Sequence, residues 1–116
     1  MTFTPDRKLL IQELNDRFRT RLEGGRLFFG GDLARAPRAV LQEALQNVKN
    51  YVDFSAANDP SGQHDFGDFM LDGRHVFWKI DYLAKDEERA STDPADPALT
   101  TRVLIITYAE DFEGDE

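Results

Sequence analysis

Two histidines and two nearby aspartates are the residues of this chain whose types could support chemistry. The stretch QHDFGDF at 63–69 holds His64, Asp65 and Asp68, and His75 follows on the next strand-like run. Imidazole and carboxylate groups bind transition metals, so a metal-dependent hydrolase centred on His64, Asp68 and His75 is one hypothesis. The spacing matches no established ligand pattern, and caps, turns and ion pairs are commoner roles for such residues. We therefore predict that the chain binds no metal and no other cofactor and has no catalytic residue. The metal-dependent hydrolase is the alternative.

The dipeptide Asp72-Gly73 gives most of this stretch a structural role, because it lies between two strand-like runs and the stretch leads into the first of them. A type I′ turn needs positive φ at both central positions, and Asp-Gly is among the strongest signals for it. This turn predicts a β-hairpin in which Gly67 faces Trp78, where a glycine leaves room for the indole. One face of the hairpin is then almost wholly apolar and is predicted to lie on the helices: Phe69, Leu71, Val76, Trp78, Ile80 and Tyr82.

The other face of the predicted hairpin is mixed in character. It places Asp68 diagonally across from Lys79, which predicts an ion pair between neighbouring strands. If His64 and Asp65 are both extended, their side chains point to opposite sides of the strand and do not share a ligand.

Two helices are predicted before the hairpin. Thr4 and Pro5 are suited to the N-cap and the first position of a helix over 5–23, with Gly24-Gly25 as its stop. The apolar residues of this helix recur every four positions, at Leu10, Leu14, Phe18 and Leu22. Its other face is basic and carries Arg7, Lys8, Arg17, Arg19 and Arg21. Pro37 opens a second helix over 37–51, whose apolar residues fall on one face.

Two further strands complete the predicted fold. The apolar run 26–29 between glycine pairs predicts a short buried strand, and 101–109 predicts a central strand because both of its faces are apolar. We therefore expect a single α+β domain over 1–116, with two helices on one face of a mainly antiparallel sheet of about four strands. The segment 84–100 is a long acidic loop in which Asp93 and Asp96 precede prolines and should adopt extended or turn conformations. The acidic tail that begins at Glu110 is expected to fray.

The charge is unevenly distributed along the chain. The 116 residues carry a net charge of −8, yet residues 1–50 contain nine Lys/Arg and six Asp/Glu, so the negative charge lies in the second part. An acidic surface repels phosphate backbones, which disfavours direct binding of nucleic acid and favours a basic protein surface as partner. The candidate partner-binding residues are Asp86, Glu87, Glu88, Asp93, Asp96, Glu110, Asp111 and Glu113.

Composition also indicates the cellular compartment of the protein. The chain has no cysteine, which excludes disulfides and thiolate zinc sites and is typical of a reducing compartment. Its N-terminus has no secretory pattern and no segment has the length of a membrane span. We therefore expect a cytoplasmic protein with no membrane partner, while its oligomeric state stays open.

Several blocks of the second half resemble a known family. NDPSGQHDFGDF, FWKIDY and the run STDPADPALTTRVLIITYAEDF are similar to an uncharacterised family of small bacterial proteins, mainly alphaproteobacterial and associated with mobile elements. That family has no established activity, so the resemblance assigns no catalytic residue. It implies a genetic context near antirestriction and partition genes.

The leading functional hypothesis combines the charge with this resemblance. It describes an acidic, non-enzymatic interaction protein that mimics DNA and inhibits a host nucleic-acid-handling defence complex, of the anti-restriction or anti-CRISPR type. Such binding would weaken steeply with salt. A ribosome-dependent toxin is disfavoured, because it would need a basic surface facing RNA.

Overall fold

The computed structural model describes residues 6–112. In chain order the elements are α1 (Arg7–Arg21), β1 (Gly25–Phe29), a 3-10 helix (Gly31–Arg35), α2 (Arg38–Lys49), β2 (Phe66–Leu71), β3 (Arg74–Leu83), β4 (Thr101–Tyr108) and α3 (Ala109–Phe112). The strands form one sheet in the order β1-β4-β3-β2. β2 with β3 and β3 with β4 are antiparallel, whereas β1 with β4 is parallel. The predicted α+β class is confirmed, and no helix of the described residues is long and apolar enough to cross a membrane.

Helix α1 has a different buried stripe from the predicted one. Ile11, Asn15, Phe18 and Arg19 face inward, so the stripe passes through two polar residues and Arg19 does not belong to the exposed basic face. Asp6 caps the helix by accepting a hydrogen bond from the Lys8 N–H at 2.8 Å, while Thr4 and Pro5 lie outside the described residues. The helix ends at Leu22, which adopts φ 57°, rather than at the glycine pair.

Helix α2 and the hairpin agree with the sequence prediction. α2 begins after Pro37 and buries Ala44 and Val48. Across the turn, Gly67 is opposite Trp78, and Asp72 and Gly73 have φ values of 51° and 80°, as a type I′ turn requires. A Cβ atom at Gly67 would lie 2.5 Å from Trp78 Nε1, so the glycine is needed for the indole to pack there.

The first and last strands of the chain correct one prediction and confirm another. β1 is an edge strand whose residues are mostly exposed, because only β4 pairs with it. The prediction that 26–29 is buried is therefore wrong, since glycine-bounded apolar runs also occur at edges. β4 is central, as predicted, and its alternate residues Leu104 and Ile106 are fully buried against the helices.

The C-terminal part of the described chain is anchored rather than frayed. Residues 109–112 form α3, and the ring of Phe112 contacts Phe77 at 5.3 Å and Phe66 at 6.2 Å between centroids. The Asp111 carboxylate accepts a hydrogen bond from the Asp32 N–H at 3.0 Å. α3 therefore covers part of the sheet face opposite α1 and α2.

Candidate functional site

His64 lies on the helix side of the sheet, in contact with two carboxylates. Its Nδ1 is 3.0 Å from Asp16 Oδ2, its Nε2 is 3.8 Å from Asp59 Oδ2, and its ring stacks on Phe54 at 3.8 Å. His64 has φ 58°, so this residue is not extended, and Asp65 also turns toward α1, where it accepts a hydrogen bond from the Tyr82 hydroxyl. The condition for the two side chains to point to opposite sides, that both residues are extended, is therefore not met.

Asp68 and His75 lie on the other side of the sheet. His75 Nε2 is 2.5 Å from Asp68 Oδ2, and both side chains are partly exposed. The predicted Asp68–Lys79 pair is wrong, because Lys79 Nζ instead approaches Asp81 Oδ1 at 3.5 Å. Since the sheet separates His64 from this pair, the three residues of the hydrolase hypothesis do not come together. Within residues 6–112, no group of three or more His, Cys, Asp or Glu side chains is placed to hold a metal.

A buried polar network that the sequence analysis missed joins α1 to the sheet. Asn15 is fully buried; its side-chain amide donates to the Tyr82 hydroxyl at 2.7 Å, and its Oδ1 accepts from Arg102 Nε at 2.7 Å. Tyr82 in turn donates to Asp65, and burial raises the pKa of its hydroxyl well above the ordinary value. The only sign of this network in the sequence was the position of Asn15, four residues after Ile11 and therefore on the same side of α1 as that apolar residue.

The acidic loop is folded, and arginines bind several of its carboxylates. Asp93 accepts a hydrogen bond from Arg7 of α1 at 2.7 Å, which holds the pKa of that carboxyl below its usual value. Glu87 lies 2.5 Å from Arg26 of β1. Asp93 and Asp96 each begin a turn, as predicted, because their carbonyls accept from the N–H groups of Asp96 and Leu99.

The remaining candidate acids divide into paired and unpaired groups. Asp86 pairs with Arg89 at 2.9 Å, and Glu110 pairs with Arg74 at 3.2 Å. Among residues 6–112, Glu88, Asp96 and Asp111 have no ion-pair partner within 4.0 Å, and Asp111 accepts the backbone N–H of Asp32 instead. Glu113 lies outside the described residues.

These acids do not form one continuous surface. Glu110 lies beside Arg74 at the start of β3, whereas the loop begins after Leu83 at its end. Ten residues of strand separate the two positions by roughly 30 Å. The candidate acids therefore form two groups, one on the loop and one on α3.

The sheet face opposite α1 and α2, which we call the open face, is covered only in part by α3. Residues of the strands alternate between the two faces, and those on the open face are Arg26, Phe28, Phe66, Asp68, Met70, His75, Phe77, Lys79, Asp81, Leu83, Thr101, Val103, Ile105 and Thr107. Phe28 is 58% exposed and Met70 is 62% exposed. A cleft of about 370 Å³ lies on this face between Phe28, Lys79 and Asp111.

Comparison with known proteins identifies a family and no function. No curated protein and no solved structure matches the chain. A family model matches residues 31–111, which include α2, the whole hairpin, β4 and most of α3. The chain therefore belongs to the family described as "Protein of unknown function (DUF3768)".

Proposed function

We propose that this protein is a non-enzymatic interaction protein that binds a partner protein through its open face. The observation that carries the proposal is the exposure of Phe28 and Met70 on the two edge strands of a sheet face that α3 covers only in part, with the half-buried Ile105 and Phe77 on the strands between them. The solvent-facing side of an antiparallel sheet is ordinarily polar. Apolar side chains gathered on such a surface are typical of a site for another protein.

The charge around the open face favours a basic partner. Carboxylates at its margin outnumber basic side chains: Asp68, Asp81, Glu87, Glu110 and Asp111 against Arg26, Arg74 and Lys79. The net charge of −8 adds a long-range attraction to any cationic protein. A partner with an apolar centre and a rim of Lys and Arg matches both features. Surfaces of that chemistry occur on complexes that bind nucleic acids.

The finer hypothesis is that the acids imitate DNA phosphates in the groove of a host defence complex. The acid-rich second part of the chain and the resemblance to mobile-element proteins support this hypothesis. The unpaired carboxylates of Glu88 and Asp96 are its best-placed groups on the loop. The arginine pairs of Asp86, Glu87 and Asp93 reduce the charge that the loop presents, so apolar contact at the open face takes the larger part of the binding.

Capture of proteins from a bacterial host lysate tests the proposal with matched variants. Phe28→Ser with Met70→Ser removes the two most exposed apolar side chains of the open face. Leu9→Ser with Val52→Ser is the control, because both are exposed apolar residues away from that face. We expect wild type and control to retain the same basic protein at low salt and the open-face variant to retain about tenfold less.

Two further measurements separate the open face from DNA mimicry. If carboxylates replace DNA phosphates, duplex DNA displaces the captured protein and Glu88→Gln with Asp96→Asn weakens its capture. Retention that is insensitive to both but lost in the open-face variant supports contact through the sheet alone. Equal capture by wild type and the open-face variant would refute the proposal.

A further inference from the structure

A second surface feature lies on the helix side of the sheet, away from the open face. It is a cleft of about 280 Å³ between the C-terminal half of α1 and the acidic loop. Three of the side chains that line it are cations, Arg17, Lys85 and Arg102, and Glu23 is the acid among them. We call it the basic cleft. Its walls are apolar and are formed by Leu14, Phe18 and Pro97.

Arg102 is the unusual residue of this cleft. Its side chain lies on the inner side of β4, the residue is only 4% exposed, and no carboxylate of the described chain lies within 4.0 Å of it. Its Nε donates to Asn15 Oδ1 at 2.7 Å and its Nη2 donates to the Pro94 carbonyl at 2.6 Å, so both partners are neutral. Burial lowers the pKa of its guanidinium below the ordinary value. A buried cation without a counter-ion is costly, and an anion would relieve that cost.

The third nitrogen of Arg102 is available for such an anion. Within residues 6–112, Nη1 has no hydrogen-bond partner, yet it is not among the fully buried unpaired atoms. Nη1 is therefore not completely buried, and Arg102 lines the basic cleft. The hydrogen bonds to Asn15 and Pro94 fix the guanidinium plane, which holds Nη1 in place before any ligand binds.

We infer that the basic cleft binds a phosphate group, with Arg102 at its base and Arg17 and Lys85 at its rim. Three cations and one carboxylate give the lining a formal charge that matches a phosphate dianion. The cleft also has room for several atoms beyond the phosphate, which would contact Leu14 and Pro97. This site is independent of the open face, because the sheet separates the two.

Calorimetric titration with inorganic phosphate and with glycerol 3-phosphate tests the inference, using sodium chloride at equal ionic strength as reference. Arg17→Ala with Lys85→Ala removes the rim cations, both of which are exposed, and leaves Arg102 and the fold intact. Arg38→Ala with Lys49→Ala removes the same charge from α2 and is the control. We expect phosphate to bind wild type and control alike, and the rim variant about tenfold or more weakly.

The two ligands also identify the source of the phosphate. Tighter binding of glycerol 3-phosphate indicates an organic phosphate that uses the apolar walls, whereas equal or weaker binding indicates the free ion; either result supports the site. The inference is overturned if phosphate gives no more heat than chloride. It is equally overturned if the rim variant binds phosphate as tightly as the α2 control.

Discussion

Gly67→Ala tests the packing that holds the hairpin beneath the helices. The added Cβ would lie 2.5 Å from Trp78 Nε1 and 2.8 Å from Tyr51 Cε2. Ordinary contacts between such atoms are about 3.5–4.0 Å, so the methyl group overlaps both rings by about 1 Å. Trp78 is fully buried and Tyr51 is 7% exposed, with the two rings in an edge-to-face arrangement at 5.5 Å. Both rings are therefore held by close contacts in the core.

The expected loss of stability follows from two opposing effects. Forcing a methyl group into a closely packed core costs about 1–3 kcal/mol, and the upper part of that range applies because two aromatic rings must shift. Alanine offsets about 0.5–1 kcal/mol, since it restricts the unfolded chain more than glycine does. The net free energy of unfolding should fall by about 2 kcal/mol, equivalent to a decrease of about 6–10 °C in Tm.

Urea unfolding followed by the fluorescence of Trp78, the only tryptophan, measures this change. Gly30→Ala is the matched control: its Cβ would meet Phe28 at 3.6 Å, an ordinary contact, and Gly30 has φ −105°. We expect the control to remain within about 0.5 kcal/mol of wild type. If Gly67→Ala is as stable as Gly30→Ala, Trp78 is not packed against Gly67 as described.

Three other substitutions test the turn, the network and the loop. Gly73→Ala places a side chain at φ 80° and should cost about 1 kcal/mol in urea unfolding; no loss would contradict a type I′ turn. Asn15→Leu leaves the Tyr82 hydroxyl and Arg102 Nε with one hydrogen bond fewer each, so the same assay should show a loss of about 3 kcal/mol. Asp93→Asn should lower Tm at pH 7 and much less at pH 3. Because the pKa of Asp93 is depressed in the folded protein, this carboxylate stabilises the fold above its unfolded pKa of about 4, and the stabilisation is lost as pH falls through the folded pKa. A Tm difference between variant and wild type that does not change with pH would contradict the pair with Arg7.

The parts of the fold that depend on neighbouring residues were predictable from the sequence. The Asp72-Gly73 turn fixes the hairpin register by itself, and the Gly67 and Trp78 pair follows from that register. The buried pair of Asn15 and Arg102 was not predictable, because 87 residues separate its members and neither lies in a motif. The exposure of β1 was also missed, since the glycine-bounded run 26–29 has the same composition whether it lies at the centre or the edge of a sheet.

The ion pairs explain why net charge alone is a poor guide to the binding surface of this protein. Of the seven candidate acids within the described residues, four pair with arginines, and two of those arginines come from α1 and β1. The same contacts that neutralise the loop also fasten it to the first half of the chain, so its carboxylates contribute to folding before they contribute to any partner. A binding surface must instead be recognised by what the fold leaves unsatisfied. In this chain those features are the uncovered apolar side chains of the open face and the buried guanidinium of Arg102. Because β4 carries Ile105 on one side and Arg102 on the other, substitutions at the open face and at the basic cleft report on separate interactions.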